Sequence, residues 1–132
     1  MKYSIKISVI IAIAALSFTS TSCKKDKEDP TITVSTPEQH THFNWGDEVH
    51  IEASFADDRG LKNYTVMMVD ADGNHQDDFD FMKTGTTTEL TYDFHDHFMV
   101  PDDAPMMAWV QFNVTDAEDK TATLTWMLHF DE

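Results

Sequence analysis

The sequence predicts an all-β fold: an antiparallel β-sandwich of about seven strands occupying residues 30–132. Three observations carry this expectation. Apolar and polar residues alternate with a period of two from about Pro30 onward. Turn-forming clusters interrupt the alternation at roughly ten-residue intervals. No apolar stripe recurs at the 3.6-residue spacing of a helix, and no internal repeat is visible.

The first strand is expected at Thr31-Ile32-Thr33-Val34, ended by Pro37. Glu48 to Phe55 alternates strongly, with Val49, Ile51, Ala53 and Phe55 on one face and Glu48, His50, Glu52 and Ser54 on the other. Asp57-Asp58-Arg59-Gly60 has the composition of a turn. Leu61 to Val69 is apolar on both faces towards its end, as an interior strand would be, and Asp72-Gly73-Asn74 closes it. Phe79 and Phe81, alternating with Asp78 and Asp80, predict a short strand, and Thr84-Gly85-Thr86 a turn. Leu90, Tyr92 and Phe94 share the inner face of the next strand, before a break at Pro101-Asp102-Asp103-Ala104-Pro105. Ala108, Val110, Phe112 and Val114 define the sixth inner face, and Leu124, Trp126, Leu128 and Phe130 the seventh, across the polar turn Asp116 to Lys120. Seven short antiparallel strands at this spacing argue for an immunoglobulin-like sandwich. Its core of aromatic and branched residues is large enough to stand without a disulfide.

Residues 1–22 have the layout of a secretory signal. Lys2 and Lys6 precede the apolar run Ile7 to Leu16, and small residues follow up to Cys23. An apolar run of this length is too short for a permanent span, which needs roughly 20 residues. Cys23 is the only cysteine, so no intramolecular disulfide can form. Its position after Thr19-Ser20-Thr21-Ser22 resembles the lipobox of bacterial lipoproteins, with Ser20 standing where leucine is commonest. The resemblance implies acylation of Cys23 and a membrane partner reached through lipid. Two or three acyl chains, at about 0.8 kcal/mol per buried CH2, anchor a protein stably where one does not. Residues 23–29 would be the acylated cysteine and a polar tether. Within it, Lys27-Glu28-Asp29 resembles a surface-export signal of Bacteroidota lipoproteins. The expected location is the bacterial outer membrane, with surface display as the extension.

The first 22 residues hold two lysines and no acid, so the remainder carries a formal charge of −17 against −15 for the whole chain. Such a surface repels nucleic acid and anionic headgroups, which excludes nucleic acid as a partner.

Gly46-Asp47-Glu48-Val49 and Phe55-Ala56-Asp57-Asp58-Arg59-Gly60-Leu61 resemble the second strand and following turn of bacterial Ig-like domains. Val100-Pro101-Asp102-Asp103-Ala104 and Phe112-Asn113-Val114-Thr115-Asp116 extend the likeness. Together with the lipobox, the chain looks like a member of an uncharacterised Ig-like lipoprotein family of Bacteroidota. Members of that family carry a His-rich loop after the third long strand. The corresponding Asp70-Ala71-Asp72-Gly73-Asn74-His75 keeps one histidine, which weakens a metal reading taken from the family.

The residues themselves offer two binding readings beside a display module of unknown ligand. His95-Asp96-His97 sets two imidazoles on one strand face about 6.6 Å apart along the chain, close enough to share an ion such as Zn or Cu. His40-Thr41-His42 repeats the spacing, and His75, Asp77 and Asp78 are chemically suited to complete a site. A copper motif built on His97-Phe98-Met99 fails, since position 75 holds His where Met is needed. Asp70 to Asn74 lacks the twelfth-position Glu of a calcium loop, because residue 81 is Phe. For a glycan, Trp109 and Trp45 are the stacking candidates, Trp126 being in the core phase. No hydrolase elbow, P-loop or zincin motif is present, so the expectation is a protein that is not an enzyme and has no resident cofactor.

Overall fold

The computed structural model describes residues 28–132. The signal segment, Cys23 and the start of the tether lie outside the described residues. Eight strands build two facing sheets. In chain order they are β1 (Thr31–Thr36), β2 (His42–Asn44), β3 (Glu48–Ala56), β4 (Leu61–Val69), β5 (Met82–Thr86), β6 (Thr91–Met99), β7 (Met107–Asp116) and β8 (Thr121–Asp131). One sheet has the order β1-β3-β6 and the other β2-β8-β7-β4-β5. All pairings are antiparallel except β2 with β8. The expected β-sandwich is therefore the fold.

The alternation read from the sequence sets the inner faces. Val49, Ile51, Ala53 and Phe55 of β3 are buried, as are Ala108, Val110, Phe112 and Val114 of β7. Phe55 and Phe112 meet edge-on across the sandwich at 6.3 Å, with Phe94, Tyr64 and Tyr92 packed around Phe55. Each fully buried large apolar side chain contributes about 1.5–3 kcal/mol by leaving water, which makes this aromatic layer the main cohesive element.

Four expectations are corrected. Phe79 and Phe81 do not alternate in a strand: Asp77–Phe79 is a single 3-10 turn followed by Asp80 at φ 46°. That geometry sends both phenylalanines inward, Phe79 against Phe98 and Phe130, Phe81 against Phe98. Thr84-Gly85-Thr86 is no turn; it lies in edge strand β5, paired with Thr65, Tyr64 and Asn63. Gly85 is required there because the Tyr64 ring lies over its Cα, where a Cβ would overlap the ring. Leu90 precedes β6 and is exposed. Finally, His42–Asn44 forms a three-residue strand against the end of β8, making eight strands where seven were expected.

The open side between β5 and β6 is closed by polar groups in inward-facing phase. Lys83 of β5 pairs with Asp96 of β6 at 3.5 Å, and Tyr64 Oη donates to Tyr92 Oη at 3.0 Å. Charged residues pointing inward at sheet edges discourage pairing with another chain.

Candidate functional site

Because β6 runs on to Met99, His95 and His97 sit within a strand instead of at its end, both on the solvent face of the three-stranded sheet. The ladder between β3 and β6 places His50 directly opposite His97 and Glu52 opposite His95, with Glu48 opposite Met99. The His50 ring centre is 5.7 Å from that of His95 and 5.6 Å from that of His97. Glu48 Oε1 lies 2.7 Å from His50 Nε2, and Glu52 Oε1 3.8 Å from His95 Nε2. Three imidazoles and two carboxylates thus share one exposed patch.

His40 and His42 do not join them. They gather with His129 at the far edge of the five-stranded sheet. His40 Nδ1 is 3.3 Å from His129 Nε2, and His42 stacks on His129 with ring centres 4.7 Å apart. His42 Nδ1 also contacts Asp131 Oδ2 at 2.8 Å. His75 occupies a third place, its Nε2 3.2 Å from Asp77 Oδ1 and its Nδ1 3.2 Å from the Met68 carbonyl. The five histidines suggested as metal ligands thus fall in three separate places, as the strand pairing sets them. Of the acids suggested as further ligands, Asp77 pairs with His75, and Asp78 lines an open hollow of about 420 Å3 beside His97. Among the described residues, no three His, Cys, Asp or Glu side chains converge as placed on a common metal position.

The two tryptophans also part company. Trp45 packs on the core, its Nε1 buried without a hydrogen-bond partner, so it is no exposed platform. Trp126 is partly buried and donates Nε1–H to the Pro37 carbonyl at 2.9 Å. Trp109 remains half-buried on the outer face of the five-stranded sheet, beside a hollow of about 250 Å3 shared with Asp70, Asp72, Gly73 and Thr125. The face around it is unusual for so acidic a chain. The outward positions from Thr121 to Met127 on β8, Met107 to Thr115 on β7, Asn63 to Met67 on β4 and Met82 to Thr86 on β5 carry no Asp, Glu, Lys or Arg. Instead, Thr123 Oγ1 donates to Asn113 Oδ1 at 2.7 Å and Asn113 Nδ2 to Gln111 Oε1 at 3.1 Å, a linked row of neutral polar groups.

Asp70, Tyr64 and Asp116 are held in structural contacts. Asp70 Oδ1 accepts the backbone N–H groups of Asn74 and Asp72, each at 2.9 Å. The bonds from Asn74 above all hold the Asp70 carboxyl below the usual carboxylate range. This loop is the hairpin turn expected from its sequence. Burial first, then the hydrogen bond to Tyr92 and the negative charge of Asp96, pushes the Tyr64 phenol up to about 12. Asp116 is fully buried, and its Oδ1 accepts from the N–H groups of Glu118 and Lys120 at 2.9 Å each.

Neither His50 nor His129 was singled out from the sequence. Their outward phase was readable from alternation, but their partners depend on which strands pair.

The fold and its surface define an acidic two-sheet sandwich with histidine clusters on both outer faces. Residues 18–125 match the family model described as Domain of unknown function (DUF4625), and the chain belongs to that family. No curated protein matches the sequence significantly. Among solved structures, the chain is similar to the periplasmic chaperone SfaE, at 12% identity over 76% of this chain and 55% of that one, with a TM-score of 0.49. It is also similar to Spo0M, a sporulation control protein from Bacillus subtilis, at 11% identity over 79% of this chain and 49% of that one, with a TM-score of 0.45. The chain thus spans about half the length of these two proteins.

Proposed function

We propose that the chain is a non-enzymatic, immunoglobulin-like lipoprotein of the Bacteroidota type, anchored in the outer membrane through acylated Cys23 and holding its sandwich out as a binding module. The observation that carries this reading is the place of the sole cysteine: after an apolar run and small residues, and eight positions before β1 begins at Thr31. Eight residues reach at most about 28 Å when fully extended, so the lipid would keep the domain near the bilayer while leaving both outer faces accessible. The formal charge of −17 keeps the module soluble and off anionic headgroups.

Metabolic labelling with a palmitate analogue tests the anchor. The intact chain is expected to take up label and partition into detergent, and Cys23→Ala to do neither. An unlabelled protein that washes freely off membranes overturns the proposal.

A second reading is favoured by the uncharged sheet face on one side of Trp109, whose hollow is bordered on the other by Asp70 and Asp72. A neutral glycan needs an aromatic plane for its sugar rings and uncharged donors and acceptors beside it. Trp109 with Gln111, Asn113, Thr123 and Thr125 supplies both. Retention on neutral polysaccharide columns that disappears with Trp109→Ala supports this reading, and passage of the unaltered protein straight through such columns removes it.

A further inference from the structure

The geometry points to a transition-metal site on the exposed face of the three-stranded sheet, held by His50, His95 and His97. This inference rests on neither the lipid anchor nor the glycan reading.

Backbone register supplies the first argument. Residues 95 and 97 project to one face by alternation, and the antiparallel ladder brings His50 to the same face directly across from His97. Directly opposed Cβ atoms are about 4.5–5.5 Å apart and diagonal ones about 7–8 Å, within reach of imidazoles converging from three corners. Three His nitrogens around one ion, at bonds of about 2.0–2.1 Å and near-tetrahedral angles, hold neighbouring ring centres about 5 Å apart. Two of the three ring-centre separations are near this value, His50 to His97 at 5.6 Å and His50 to His95 at 5.7 Å. The three nitrogens do not converge as placed, so the site requires the His50 and His95 side chains, 50% and 61% exposed, to rotate onto the ion.

The flanking carboxylates supply the second argument. Glu48 and Glu52 each face one of these imidazoles. Without an ion, Glu48 Oε1 meets His50 Nε2 at 2.7 Å, a nitrogen a metal would take, while Glu52 Oε1 stands 3.8 Å from His95 Nε2, beyond hydrogen-bond reach. With one, either can become the fourth ligand while the other orients a histidine from behind, as carboxylates commonly do at metal sites. A donor set of imidazoles and carboxylate suits Zn(II) or Cu(II) and is too poor in oxygen for Ca(II) or Mg(II).

The second histidine cluster acts as an internal control. There His42 lies flat on His129, the ring planes only 11° apart, and these two stacked rings aim their nitrogens in parallel; the close nitrogen approach in that cluster, His40 Nδ1 to His129 Nε2 at 3.3 Å, does not involve His42.

Titration of the full chain, purified in detergent, with ZnCl2 and CuCl2 by calorimetry tests the site. One ion per chain is expected. His50→Ala and His95→Ala should each weaken binding at least tenfold, while His42→Ala stays within twofold. Far-ultraviolet circular dichroism checks that each variant keeps its fold; all three positions are exposed, so it should. The inference is overturned if neither metal binds, if His50→Ala and His95→Ala bind as the parent does, or if His42→Ala is the variant that abolishes binding.

Discussion

Replacing Gly85 with alanine asks whether a single hydrogen-sized gap fixes the edge of the five-stranded sheet. The new Cβ would stand 2.7 Å from Tyr64 Cε1 and closer still to Cζ and Oη. Real Cβ atoms do not tolerate such contacts, so the ring must move. Tyr64 is stacked on Tyr92 at 4.9 Å, meets Phe94 edge-on at 5.9 Å and hydrogen-bonds the Tyr92 hydroxyl at 3.0 Å. Displacing it disturbs the aromatic layer at several contacts together. Overpacking of this kind costs about 1–3 kcal/mol. Alanine recovers about 0.5–1 kcal/mol over glycine in a strand through the unfolded chain. The net expectation is a loss of about 1–2 kcal/mol. For a domain of this size that lowers Tm by roughly 5–15 °C, read by thermal denaturation at neutral pH. The diagnostic measurement is a double-mutant cycle with Tyr64→Ala. Once the ring is gone the clash is gone, so Gly85→Ala should become neutral or stabilising in that background. Equal destabilisation with and without the ring would refute the overlap as the cause. A Gly85→Ala protein as stable as the parent would refute the placement of Tyr64 itself.

Three further outcomes follow from the polar groups. Asp116→Ala strips the acceptor from two turn N–H groups and the ion-pair partner, at 3.2 Å, from Lys120, and should cost roughly 2 kcal/mol in urea denaturation; Asp116→Asn, which keeps one acceptor oxygen, should cost less. If the two variants are equal, the backbone bonds are not what the carboxylate contributes. Tyr64 has a folded pKa raised above its ordinary value of 10.0, so its contribution is whole below pH 10 and disappears as pH climbs towards 12, where only the unfolded phenol ionises readily. Tyr64→Phe should therefore flatten the decline of stability between pH 10 and 12, and an unchanged alkaline profile would contradict that assignment. For Asp70 the sign is opposite: its pKa is lowered in the fold, so its contribution exists above the unfolded carboxylate range and is lost as pH falls through the folded value. The Tm difference between the parent and Asp70→Ala should shrink as the pH falls below the ordinary carboxylate range of about 4, and a gap that does not narrow on acidification would sink the turn argument.

The readable part of the fold lay in local periodicity. Val49 to Phe55 and Ala108 to Val114 announce their buried faces two residues at a time, because successive strand side chains must point to opposite sides. The failures were at places where that rule is suspended. Asp77 to Phe81 mimics strand alternation, yet Asp80 in left-handed conformation turns both phenylalanines inward by another route. Thr84-Gly85-Thr86 reads as a turn because glycine is the commonest chain breaker, whereas here glycine makes room for a ring contributed by a strand some twenty positions earlier. His42–Asn44 is too short for any period to show, and it becomes a strand only through the end of β8.

The sequence by itself determined that the chain is acidic, that it contains one cysteine after an apolar run and small residues, and which face of most strands is buried. Those properties are composition or nearest-neighbour alternation, and both are written along the chain. Tertiary structure alone decided that His50 meets His95 and His97, that His129 meets His40 and His42, that Trp45 faces inward, and that fifteen neutral positions merge into one face. These depend on which strands pair and in which register. That choice is made by the non-local packing of Phe55, Phe112 and their neighbours, and a one-residue slip of β6 would turn His95 and His97 to the opposite side.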